Sequence, residues 1–171
     1  QIIAIVILIL LSAFFSSAET ALTTVNKHRL RSLAEEGNKN AQRVLKLVEN
    51  PSKMLSAILI GNNIVNISAS ALTTTVTTDL FGSKLVGVST GVLTLVVLLF
   101  GEITPKSLAT LYSEKISLLY IHVIAPLIVL LTPAIWFVDK LSNGIFFILR
   151  VDRESATNQM TEGELRTIVD V

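Results

Sequence analysis

Three asparagines, Asn62, Asn63 and Asn66, fall inside an uncharged run from Met54 to Thr78. The run is long enough to cross a bilayer as a helix, for which roughly 20 residues suffice. Burying an unpartnered polar group costs on the order of 2 to 7 kcal/mol, so these amides must face protein, water or an ion. On a helix Asn62 and Asn66 share a face, which Ser70 extends, while Asn63 lies about 100° away. Two other segments carry matching chemistry. Ser12, Ser16, Glu19 or Thr20, and Thr23 form one polar stripe on the first apolar segment. Gly101, Glu102, Ile103, Thr104, Pro105 and Lys106 close the third. There Pro105 cannot donate to the carbonyl of Gly101, four residues back, which leaves a free carbonyl beside a carboxylate.

Hydroxyls, amide oxygens, one carbonyl and one carboxylate make an all-oxygen set, suited to a hard cation such as magnesium or calcium. Short ligands and a small cavity favour magnesium. A single carboxylate among neutral oxygens attracts a divalent ion without neutralising it, so the ion can leave again, as transport requires. Each residue type also has a plainer use. Serines and threonines in membrane helices bond to their own backbone, one asparagine can join two helices, and Glu102 can pair with Lys106 at i and i+4. Three asparagines within five positions exceed what helix joining explains. His28 and His122 are isolated and read as structural or interfacial. With no HExxH, no cysteine, no Gly-rich nucleotide loop and no Ser or Asp partner for either histidine, no enzyme is expected.

The elements that must position these groups are membrane helices. Hydrophobic residues make up 51% of the chain and charged ones 16%, against roughly a quarter charged in a soluble domain, and the charges are segregated. The net charge of +1 hides that segregation and points to neither nucleic acid nor an acidic substrate. The sequence predicts spans over about 2–25, 54–78 and 85–110, the first a retained span without the pattern of a cleaved signal. Between the first two, Lys27, Arg29, Arg31, Lys39, Arg43, Lys46 and Lys53 outnumber Glu35, Glu36 and Glu49, which makes residues 26–53 cytoplasmic and puts the N-terminus outside. Apolar spacing predicts a hairpin of two short helices there, divided at Gly37 and Asn38. The uncharged stretch 116–138 contains Pro126 and Pro133. With basic residues at both its ends, it reads as a kinked helix or re-entrant pair along the inner interface from about 114, with a fourth full span as the alternative. Gly87 and Gly91 have the GxxxG spacing of close helix packing, as in a dimer.

FFSSAETAL (Phe14 to Leu22), GNNIVNI (Gly61 to Ile67) and GEITPK (Gly101 to Lys106), in that order, resemble the DUF21 membrane domain of the CorC and CNNM (cyclin M) magnesium transporters. The resemblance implies an all-α integral membrane protein: three transmembrane helices, a cytoplasmic helical hairpin and a juxtamembrane belt helix, forming a homodimer in the cell membrane. It also implies magnesium export coupled to sodium, with a metal site of Ser16, Asn62, Asn63, Asn66, the Gly101 carbonyl and Glu102. The family often has glycine where this chain carries Ser17. Residues 1–138 would be the membrane domain and 139–171 a linker, with TEGELRTIVDV (Thr161 to Val171) leading toward cytoplasmic CBS domains. A sodium site is not located by any motif; Ser12, Ser16, Glu19 and the run 73–78 are its candidates. The competing function is a magnesium-sensing or scaffolding membrane protein that binds the ion without passing it.

Overall fold

A computed structural model describes residues 1–148, with side chains through 145. The segment Thr161 to Val171 and most of the expected linker lie outside the described residues. Within them the chain is helical throughout, with no strand. The elements are α1 (Ile2–Thr24), α2 (Lys27–Glu35), α3 (Lys39–Val48), α4 (Pro51–Phe81), α5 (Val86–Val96), a π-helical segment (Val97–Ile103), α6 (Thr104–Leu111) and α7 (Ser113–Ile148). Contacts divide the chain into two units, 1–132 and 133–171.

In the first unit α1 is the central element, packed on α4, on the π segment and on α6. Small residues make that possible. Ala18 and Ala21 are fully buried along α1, and Gly61 of α4 receives the ring of Phe15 so closely that a Cβ there would lie 2.6 Å from it. Phe15, Leu22, Met54, Ala57 and Ile58 fill the seam. Helices approach this closely in lipid because dispersion contact and not water exclusion holds them together.

Two short helices pack on each other where the apolar spacing of 26–53 predicts them. Asn26 caps α2 by accepting from the N–H groups of His28 and Arg29, and Asn38 caps α3 by accepting from Asn40 and Ala41. Gly37, at φ +91°, makes the left-handed turn between them. Leu30, Ala41 and Val44 are the hairpin's buried face. Its polar edge meets the start of α7: Arg29 Nε lies 3.5 Å from Glu114 Oε2, and Asn40 Nδ2 donates to Leu118 O at 3.4 Å.

Two boundaries differ from the sequence reading. The second span, predicted over 54–78, begins at Pro51, because proline is tolerated in a helix's first turn, and α4 runs over Pro51–Phe81. Residues 113–148 form one α-helix, not a re-entrant pair, with Pro126 and Pro133 inside it and both exposed. A proline ring presented outward removes one backbone bond without colliding with a packed neighbour, and a helix in a membrane protein can absorb that. By length and apolarity four helical stretches are able to cross a bilayer: Ile2–Thr24, Pro51–Phe81, Ser83–Leu111 and Ser113–Ile145. A span count of three therefore does not follow from length alone.

The described part of the second unit is the end of α7. There Lys140 Nζ sits 4.7 Å from the centre of the Trp136 ring, an i, i+4 cation–π pair with an exposed indole.

Candidate cation site

The asparagine run occupies the middle of α4, and helix geometry divides it as the spacing predicts. Asn62 and Asn66 are partly buried toward α1 and α5, whereas Asn63 is exposed. Ser12 Oγ donates to Asn62 Oδ1 at 3.3 Å. The same Ser12 Oγ lies only 3.1 Å from where a Cβ on Gly101 would stand. Ser12, on α1, thus lies between α4 and the π segment, and a Cβ at position 101 would press on its hydroxyl.

The π segment exists because of its sequence. Thr104 N–H reaches back five residues to Leu99 O, the π register, and the next residue, Pro105, has no N–H to give. In either register the carbonyl that Pro105 would have met, Gly101 or Phe100, loses that donor. The wide turn carries buried Gly101 and partly buried Glu102.

Among the described residues four side-chain oxygens are buried without a partner: Thr73 Oγ1, Ser117 Oγ and two that neighbour Ser12 and Asn62 along their helices. Ser16 Oγ, one turn along α1 from Ser12, and Asn66 Oδ1, one turn along α4 from Asn62, accept and donate nothing. Such groups cost about 1 to 3 kcal/mol each unless a cation or water supplies the contact. Ser17 is committed elsewhere, donating to Ala13 O at 2.7 Å and Phe14 O at 3.0 Å and touching Tyr120 Oη at 3.4 Å. Of the three serines, Ser12 and Ser16 are the two available to the site.

The charges resolve in the same way. Lys106 does not take up Glu102; its Nζ lies 3.3 Å from Glu19 Oε2, tying α6 to α1 one turn from the site on both helices. Glu102 instead borders a cleft of about 200 Å³ with Asn66, Ser70, Thr90 and Thr94. No three His, Cys, Asp or Glu side chains converge among the described residues, so any ion held here is held mainly by neutral oxygens.

The resemblance implies Ser16 and not Ser12, and no motif points to the Glu19–Lys106 pair or to Thr90 and Thr94 at the cleft. The i, i+4 step from Ser12 to Ser16 was a usable signal. The register of α4 against α5 leaves none.

A family model described as the cyclin M transmembrane N-terminal domain matches residues 3–171. The chain belongs to the cyclin M (CNNM) membrane-domain family. This cyclin M domain is 42% identical over 160 residues to the UPF0053 inner membrane protein YfjD of Escherichia coli, covering 93% of the chain and 37% of that protein. It is 38% identical to a chloroplastic DUF21 domain-containing protein of Arabidopsis thaliana, over 95% of the chain and 25% of the relative. A polyamine export protein of Escherichia coli is 32% identical, over 88% and 37% respectively. The domain therefore spans about two fifths or less of the length of these relatives.

Proposed function

We propose that this cyclin M domain carries magnesium across the cell membrane, exporting it in exchange for sodium by alternating access around the oxygen cluster. The observation that carries this reading is the unpartnered buried Asn66 Oδ1 lining one cleft with Glu102, together with the likewise unpartnered Ser16 Oγ one turn from Ser12 on α1. The ligands would be Ser16, Asn62, Asn66, the Gly101 carbonyl and Glu102, with Ser12 holding Asn62 in place. Asn63, exposed in this chain, would act from the second coordination sphere or from a rotated helix. Sodium would drive export by binding better to one of the two orientations, since equal affinity for both shifts nothing. Three spans with an external N-terminus, a homodimer, and regulation by CBS domains of a longer chain complete the proposal.

Magnesium flux into liposomes containing the purified protein tests it. Flux that saturates, requires a sodium gradient and disappears in Asn66→Ala and Glu102→Ala supports the carrier. Binding without flux supports the sensor or scaffold instead. The relative named for polyamine export motivates a second substrate class, because ammonium groups also bind carboxylate and amide oxygens. Spermidine that is itself transported, and that blocks magnesium flux, would transfer the site to polyamines.

A further inference from the structure

The cleft bordered by Glu102 continues past the candidate ion site. Ser70 lies one turn beyond Asn66 on α4, and Thr94 and Thr90 lie two and three turns before Glu102 on the antiparallel α5, so the cleft runs toward the Gly82 turn between the two helices. Three hydroxyls at this end of α4 are satisfied locally, Thr74, Thr75 and Thr78 donating to the carbonyls of Ser70, Ala71 and Thr74 at 2.8 to 3.1 Å, while Thr73 Oγ1 is buried without a partner. Such local bonds are the ordinary way in which a membrane helix quiets a hydroxyl. Ser70 and Thr90 do not do this; neither side chain has a hydrogen bond. Thr94 donates to Thr90 O at 2.8 Å, which leaves its oxygen lone pairs directed outward. Together with the unpartnered Asn66 Oδ1, these groups form a polar strip along a cleft whose remaining lining is Leu93, Val97 and Leu98, and acyl chains would penalise that strip. A volume of about 200 Å³ is ample for several waters, since one needs only about 10 to 15 Å³ of such space.

We infer that Ser70, Thr90 and Thr94, with Asn66 and Glu102 at the inner end, form a water-filled vestibule that receives a hydrated divalent cation between the dehydrating site and the outer face. The vestibule rests on the transport reading above. Neutral hydroxyls suit that station, because they replace outer-sphere water contacts without holding the ion, while the one carboxylate sets the sign of charge admitted.

The chain contains no cysteine, so single-cysteine variants report cleanly. In liposomes holding the full chain, Ser70→Cys and Thr94→Cys should react with a charged, membrane-impermeant thiol reagent at least tenfold faster than Ile67→Cys. Ile67 is 69% exposed and should face lipid, where the thiolate does not form. Millimolar magnesium chloride should slow both reactions severalfold. Equal, slow labelling at all three positions would overturn the vestibule whatever the flux assays give, and fast labelling indifferent to magnesium would overturn the cation assignment. Two labelled positions on different helices guard against one variant that fails to fold. The underlying reading fails separately, by wild-type protein that carries no magnesium.

Discussion

At the scale of single residues, the partner of Lys106 decides how Glu102 is to be understood. A carboxylate at a helix end with a lysine four residues on is ordinarily a surface ion pair worth a few tenths of a kcal/mol. Here the lysine is engaged by Glu19, and Glu102 faces Asn66 across the cleft. Glu102→Gln keeps the shape and removes the charge, so magnesium affinity should fall at least tenfold while sodium affinity falls less. Equilibrium binding of each ion to the purified protein checks this, and unchanged magnesium affinity would return Glu102 to a merely structural role. The asparagines allow a sharper comparison. Asn62→Ala and Asn66→Ala should each weaken magnesium binding severalfold, and Asn63→Ala should stay within about twofold, because its side chain is exposed on another face of α4. The reverse order would mean that α4 turns its other face to the ion. This division was legible in the sequence, since one helical rotation of about 100° separates neighbouring residues. The linking role of Ser12 was less so: it depends on how closely α1 approaches Gly101, a distance that no spacing within one segment encodes.

At the scale of elements, the sequence announces interruptions better than continuities. Gly37 with Asn38 divides the hairpin as expected, because a positive φ and an asparagine cap are local properties. Gly101 with Pro105 likewise marks the one place where the third apolar stretch leaves the α register. The prolines of α7 do not divide it: Pro126 and Pro133 each remove one backbone bond within a single helix, which agrees with the one-helix reading and not with the re-entrant pair. The packing of α1 on α4 is a tertiary matter and can be tested. A methyl at position 61 would stand 2.6 Å from the Phe15 ring, so Gly61→Ala should destabilise the domain by about 1 to 3 kcal/mol. Thermal unfolding in detergent measures it. Phe15→Leu in the same chain should restore most of the loss, because a smaller side chain clears the methyl; a double variant no better than Gly61→Ala would put the cost elsewhere.

At the scale of the whole molecule, the outstanding feature is how little of α5 is covered. Within the most apolar stretch of Ser83–Leu111 only 11% of residues are buried, against 28% in each of Ile2–Thr24 and Pro51–Phe81. Gly87 and Gly91 on this element meet nothing: a Cβ at either would have no neighbour within 4 Å. Glycine in a helix interior costs roughly 0.5 to 1 kcal/mol relative to alanine, so two of them one turn apart on an open face need compensation. Close contact with a second copy, as in the proposed homodimer, would supply it, since small residues let backbones approach where lipid provides no hydrophobic drive. On this argument Gly91→Leu should shift the protein from dimer toward monomer by at least tenfold in dissociation constant. The monomer itself should unfold at the same temperature or slightly higher, because the new side chain enters open space on a better helix former. Magnesium affinity should remain within about twofold, the ion cluster being built from α1, α4 and the π segment. Single-molecule photobleaching in liposomes counts the subunits. A dimer undisturbed by Gly91→Leu would place the interface on another face and leave the two glycines without a purpose in assembly.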